Sequence, residues 1–192
     1  MKTGSKNNNK GFSLVELIVV IAILAVMMGM FLLTSGILNV RAGKQCAKQL
    51  KHELDSIRIA SMGKNSVVLR LYQDSGKIYV DENISGPRLD GSPGVVSANE
   101  IKQIGSSRVK VYIANSSYDQ DTDADKNAID YPGLFEELND IGVLFEFNRS
   151  TGALKDCEGQ ITGKLYRIDV VGGGRSNPLY IKPLTGKIEE KK

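Results

Sequence analysis

Four carboxylates alternate in the stretch YDQDTDADKNAID: Asp119, Asp121, Asp123 and Asp125, followed by Asn127 and Asp130. Oxygen ligands at every second position can converge on a hard cation, because Ca²⁺ takes about six to eight oxygens. Set against an EF-hand loop, positions one, three and five match, whereas the sixth is Ala124 rather than glycine and the twelfth is Asp130 rather than glutamate. The plainer reading is a solvated acidic loop whose charges repel one another into extension. Calcium on Asp119, Asp121, Asp123 and Asp125 is the one metal candidate, and no other cofactor is expected.

The remaining chemistry-bearing residues lack partners. His52 is the single histidine, so no second imidazole helps bind zinc, and no nucleophile motif accompanies it toward a Ser-His-Asp arrangement. No catalytic constellation results, and no enzyme is expected. Cys46 and Cys157 stand far apart with no CxxC spacing. They are a candidate disulfide if both face an oxidising compartment, or two separate buried thiols. VVGGGRSNP lacks both the lysine-serine ending of a phosphate loop and the spacing of a dinucleotide fingerprint, and reads as a turn between strands. Asn148-Arg149-Ser150 matches a glycosylation sequon. Lys182, Lys187, Lys191 and Lys192 form a modest basic cluster of the kind that can bind DNA, although Glu189 and Glu190 are interleaved with it.

One acid sits where an ionised group is costly. Glu16 heads the run KGFSLVELIVVIAILAVMMGMFLL, and 24 uncharged residues separate it from Arg41. As a helix these span roughly 36 Å, against a hydrocarbon core of about 30 Å. The first eleven residues carry Lys2, Lys6 and Lys10 and no acid. By the positive-inside rule they stay cytoplasmic, which leaves the C-terminal part outside. Without this leader the chain has 22 basic and 22 acidic residues, so a neutral remainder exerts no global pull on nucleic acid. The apolar run begins after the leader rather than ahead of a small-residue cleavage site, unlike an ordinary secretory signal.

The residues K-G-F-S-L-V-E-L resemble the class III signal of type IV prepilins and pseudopilins. The resemblance covers about thirty N-terminal residues. It implies that a prepilin peptidase cuts between Gly11 and Phe12 and N-methylates the new amine of Phe12. Glycine before the cut lets a protease approach the backbone closely. Glu16 is then the natural counter-charge for a neighbouring subunit's Phe12 amine, a pairing that fixes register as subunits enter a filament. Glu16 is thus expected to act in assembly.

The elements that would carry these residues follow from periodicity. Ala47, Leu50, Leu54 and Ile57 recur at helical spacing within residues 41–63, with Lys44, Lys48, Lys51, Glu53, Asp55 and Arg58 opposite and Gly63 as the stop. SVVLRLY and KIYV, joined by QDSG, predict a hairpin. Residues 85–99 read as a Gly/Pro/Ser loop. RVKVYIA, GVLFEF, ALKDC, KLYRIDVV and PLYIKP predict strands, as does the tail LTGKIEEKK.

The expected organisation is a leader over 1–11, a membrane and filament-core helix over 12–40, an amphipathic continuation over 41–63 and a β-rich extracytoplasmic domain over 64–192. The fold class is α+β, a long N-terminal helix packed on an antiparallel sheet. LDSIRIASMGKNSVVLRLY, the early hairpin and LYIKPLTGKI resemble the GspH/FimT group of minor pseudopilins more narrowly.

The family resemblance implies a structural subunit of a pilus, a type II secretion system or a competence pseudopilus. Its implied partners are the prepilin peptidase, other pilin subunits, an inner-membrane platform protein and an assembly ATPase. The alternative is a tip subunit that binds DNA or a secreted substrate. Either way the chain starts as a single-pass inner-membrane protein and ends in an extracellular or periplasmic filament.

Overall fold

The computed structural model describes residues 13–62, 67–83 and 101–190, with the side chains of 30–35 and of Asn83 outside that set. One helix, α1 (Leu14–Ser61), precedes ten described strands. These are β1 (Val68–Asp74), β2 (Lys77–Asn83), β3 (Ile101–Gly105), β4 (Val109–Ala114) and β5 (Phe135–Glu137), then β6 (Val143–Glu146), β7 (Glu158–Gly159), β8 (Arg167–Gly172), β9 (Arg175–Lys182) and β10 (Lys187–Glu190). The chain divides into two compact units, Met1–Ile37 and Leu38–Lys192.

In the first unit the described side chains of α1 are exposed and, Glu16 apart, apolar on every side, among them Leu14, Val15, Ile18, Ile21, Leu24 and Met28. A helix that is apolar all round needs lipid or protein around it. Among the described residues no helix is long and apolar enough to cross a membrane. The expected span includes residues 30–35, whose side chains lie outside the described set.

In the second unit α1 is amphipathic, as its spacing predicts. Ala47, Leu50, Leu54 and Ile57 are buried, joined by Cys46, while Lys44 and Lys48 face solvent. Near the helix end, Arg58 Nε donates to the carbonyls of Gly152 (3.3 Å) and Thr185 (3.0 Å).

The expected hairpin forms between β1 and β2, with Asp74 paired to Lys77. Its two turn residues, Ser75 (φ 49°) and Gly76 (φ 74°), take the left-handed conformation that a two-residue hairpin turn requires.

The fold is α+β, but the described strands make two five-stranded sheets instead of one, ordered β3-β2-β1-β6-β7 and β10-β9-β8-β4-β5. All the pairings are antiparallel. Alternation along each strand sends Leu69, Leu71, Ile78, Val80, Val143 and Phe145 from the first sheet into the core. Val111, Ile113, Ile168, Val170, Leu179 and Ile181 from the second enter the same cluster as the helix residues.

Local differences from the sequence reading are small. ALKDC forms isolated pairings, Phe147 with Leu154 and Cys157 with Gly163, rather than a full strand. The short strands β3 and β5 were not legible from periodicity, because three to five residues hold too little alternation. The predicted loop at 85–99 and the stop at Gly63 lie outside the described residues.

Candidate functional site

Gly11 and Phe12, the expected processing pair, lie outside the described residues. Glu16 stands in the first turn of α1. The Leu17 N–H donates to the Ser13 carbonyl at 3.2 Å. Ser13 and Glu16 also have the S-x-x-E spacing of a capping box. Glu16 therefore has two roles open to it, a local one at its own helix end and the counter-charge role.

The acidic loop is ordered by hydrogen bonds. Asp123 is buried, and its Oδ2 accepts the Asp119 N–H (3.0 Å) while its Oδ1 takes the Lys126 ammonium (2.6 Å). The Lys126 hydrogen bond, helped by the Asp119 N–H, holds the Asp123 carboxyl below the usual carboxylate range. Asp119 Oδ1 accepts the Asp121 N–H at 2.8 Å, and Asn127 Nδ2 donates to Asp130 Oδ2 at 2.7 Å. Asp119, Asp121 and Asp125 are exposed. Among the described residues no three His, Cys, Asp or Glu side chains are gathered as a metal ion requires.

What pins this loop is a buried pair that the sequence reading missed. Alternation in β8 puts Ile168 and Val170 in the main core and turns Arg167 and Asp169 to the opposite face. Arg167 is 2% exposed and Asp169 0%. The guanidinium meets the carboxylate through two bonds, Nε to Oδ1 at 2.6 Å and Nη2 to Oδ2 at 3.1 Å. Such a forked pair is among the stronger hydrogen-bonded ones.

Asp169 Oδ2 also accepts the Ala128 N–H and the Ser176 hydroxyl, both at 2.9 Å. The Ala124 carbonyl accepts from Arg167 Nη1 (3.2 Å) and from the Tyr180 hydroxyl (2.7 Å). The rings of Tyr180 and Phe135 lie 5.0 and 5.3 Å from the guanidinium carbon. The available signal was two opposite charges two residues apart in an otherwise apolar strand.

Beside this pair lies an open cleft of about 550 Å³, whose charged lining residues are Asp125, Asp130, Arg167 and Arg175. Mixed signs and an internally answered Arg167 give it no net preference for one charge.

Cys46 and Cys157 are both free and buried, and burial pushes each thiol up to about 12. His52 is exposed on α1. The glycine run forms the expected turn, with Gly173 (φ 60°) and Gly174 (φ 74°) between Gly172 and Arg175. In the C-terminal basic cluster, Lys182 and Lys187 share Glu189 at 3.1 and 2.9 Å, while Lys191 and Lys192 lie outside the described residues.

A protein-family model described as the prokaryotic N-terminal methylation motif matches residues 6–32. No curated protein and no solved structure matches the chain. The matched segment contains Gly11, Phe12, Glu16 and the first part of the apolar run. Residues 6–32 thus carry a class III signal that supports a type IV pilin-like protein, processed by a prepilin peptidase and assembled with other pilin subunits.

Proposed function

We propose that this chain is a minor pilin or pseudopilin, a structural subunit whose work is helix packing rather than catalysis. The observation that carries the reading is the methylation motif over residues 6–32, set on a helix whose described apolar side chains are exposed all round. Cleavage after Gly11 frees an ammonium on Phe12. Glu16, four positions further on, offers the matching carboxylate, and opposite charges attract far more strongly away from water. An apolar helix inserted N-terminus inward through the inner membrane then exchanges lipid for neighbouring helices as the filament grows. The narrower likeness to the GspH/FimT group favours a minor over a major subunit. A platform protein and an assembly ATPase are the machinery such insertion requires.

Mass spectrometry of the native chain tests the first step, with a mature start at N-methylated Phe12 expected and an intact Met1 overturning it. Two substitutions test the second. Glu16→Ala should leave cleavage intact and block assembly. Glu16→Gln keeps a capping residue but removes the charge, so it should block assembly as well. Filaments built normally from the Gln variant would assign Glu16 to its own helix end instead.

A further inference from the structure

The chain is free of acids from Leu17 through His52, yet Arg41, Lys44, Lys48 and Lys51 all fall within that stretch. At about 100° per residue the four lie within roughly 80° of one another around α1, over some 15 Å of its length. Arg41, Lys44 and Lys48 are exposed. None of the four enters an ion pair among the described residues. Resting on the function proposed above, cleavage after Gly11 removes Lys2, Lys6 and Lys10. Apart from the new Phe12 ammonium, which Glu16 answers, the mature chain then carries its positive charge near the apolar run on the outer side, opposite to the usual distribution. Such an arrangement calls for anionic groups on that side.

The structure supplies a place for them. A cleft of about 390 Å³ opens between α1 and β9, and it begins at Val40, the last residue of the uncharged run. Val40, Ala47, Pro178 and Leu179 make its apolar wall, while among the described lining residues Lys44 and Arg175 bring two cations against one acid, Glu190. Ser176 and Asn177 also line it, but their side chains already donate to Asp169 and to the Val170 carbonyl. An apolar wall beside paired cations suits a phosphodiester joined to an acyl glycerol better than it suits a hydrophilic anion. Its place at the end of the uncharged run is where a spanning helix would leave hydrocarbon. We propose that this cleft holds the headgroup of an anionic phospholipid in the outer leaflet of the inner membrane, with Arg41 and Lys48 adding attraction from its flanks.

The test reconstitutes the full processed chain into nanodiscs of phosphatidylcholine with and without phosphatidylglycerol, and native mass spectrometry counts the lipids retained on stripping. A basic residue near an anionic surface is worth about fivefold in affinity, so Lys44→Gln with Arg175→Gln should lower phosphatidylglycerol preference on the order of 25-fold. Lys44→Arg with Arg175→Lys should restore most of it. Lys110→Gln with Lys155→Gln, an equal charge change elsewhere, should leave it unchanged.

Undiminished retention by the Gln pair, in a chain that enters the discs, overturns the lipid site and leaves the spanning helix standing. Failure to enter discs of either composition sinks the membrane reading itself. A thermal shift produced as fully by inorganic phosphate in phosphatidylcholine discs would make the ligand a free anion. A duplex-DNA gel shift abolished by the same two substitutions would reassign the cleft to nucleic acid.

Discussion

Gly43 of α1 and Gly172 at the end of β8 meet backbone against backbone. A Cβ placed on Gly43 would stand 2.9 Å from the Gly172 Cα, and one placed on Gly172 would stand 2.5 Å from the Asn39 carbonyl oxygen. Backbone atoms cannot swing aside as a long side chain can, so the helix comes this close to the sheet only because both positions lack a side chain.

Gly172→Ala should therefore destabilise the second unit by about 1–3 kcal/mol, the usual cost of overpacking, with Gly43→Ala in the same direction. Gly133→Ala, where a Cβ would meet nothing within 4 Å, should be close to neutral. Urea unfolding of the full chain in detergent checks the order.

Removing the guanidinium should cost more. Arg167→Met leaves the Asp169 carboxylate buried without its cation, and breaking such a pair typically costs about 3–5 kcal/mol. Arg167→Met with Asp169→Leu should recover part of that loss, because no charge is then stranded. Amide exchange should show the acidic loop loosening first, since Ala124 and Ala128 are tied directly to the pair.

Both thiols should be inert in the folded chain. Each is raised from an ordinary 9.0 to about 12 by burial. Alkylation at pH 8 should be slow until the chain unfolds, and then two thiols should react. The folded state holds these protons where the unfolded state releases them. Stability should thus be intact below pH 9 and fall as pH rises toward 12. Urea midpoints at pH 7 and pH 10 measure the drop.

The loop carboxylate has the opposite dependence. Lys126 depresses the Asp123 carboxyl below its ordinary 3.8, so its contribution is present above that value and is lost as pH falls through the depressed one. Protection of the Asp119 amide, taken relative to its intrinsic exchange rate at each pH, should be present at pH 5, fall away as pH drops well below 3.8, and be absent throughout in Asp123→Ala. Because Asp123 already uses both oxygens inside the loop, millimolar calcium should give little heat and no melting shift. A clear shift would mean that Lys126 yields its place to the cation.

Local pattern was legible where it repeats. Four apolar residues at three-and-four spacing gave the buried face of α1, and Gly76 and the run at 172–174 gave two hairpin turns. Pairing between distant strands was not. Nothing in β4 says that it joins β8 rather than β3, because that choice depends on which sheet closes over which side of the helix. The pin beneath the acidic loop was hidden for the same reason. Arg167 and Asp169 look like surface residues of a half-exposed strand until the loop from 115 to 134 is folded over them. Glu16 stood out in the sequence because a lone acid in an apolar run is conspicuous without any fold at all.

Cys46, Leu50, Leu54 and Ile57 are each at most 1% exposed, spread over roughly 16 Å of helix axis, with Arg58 latched to two carbonyls just beyond them. A pull applied along α1 loads these anchors together, in shear, and not one after another as in a zipper. Tension drawn in through the helix would reach the strands before any single anchor slipped. Optical tweezers gripping the N-terminal end should record one abrupt rip, not a staircase.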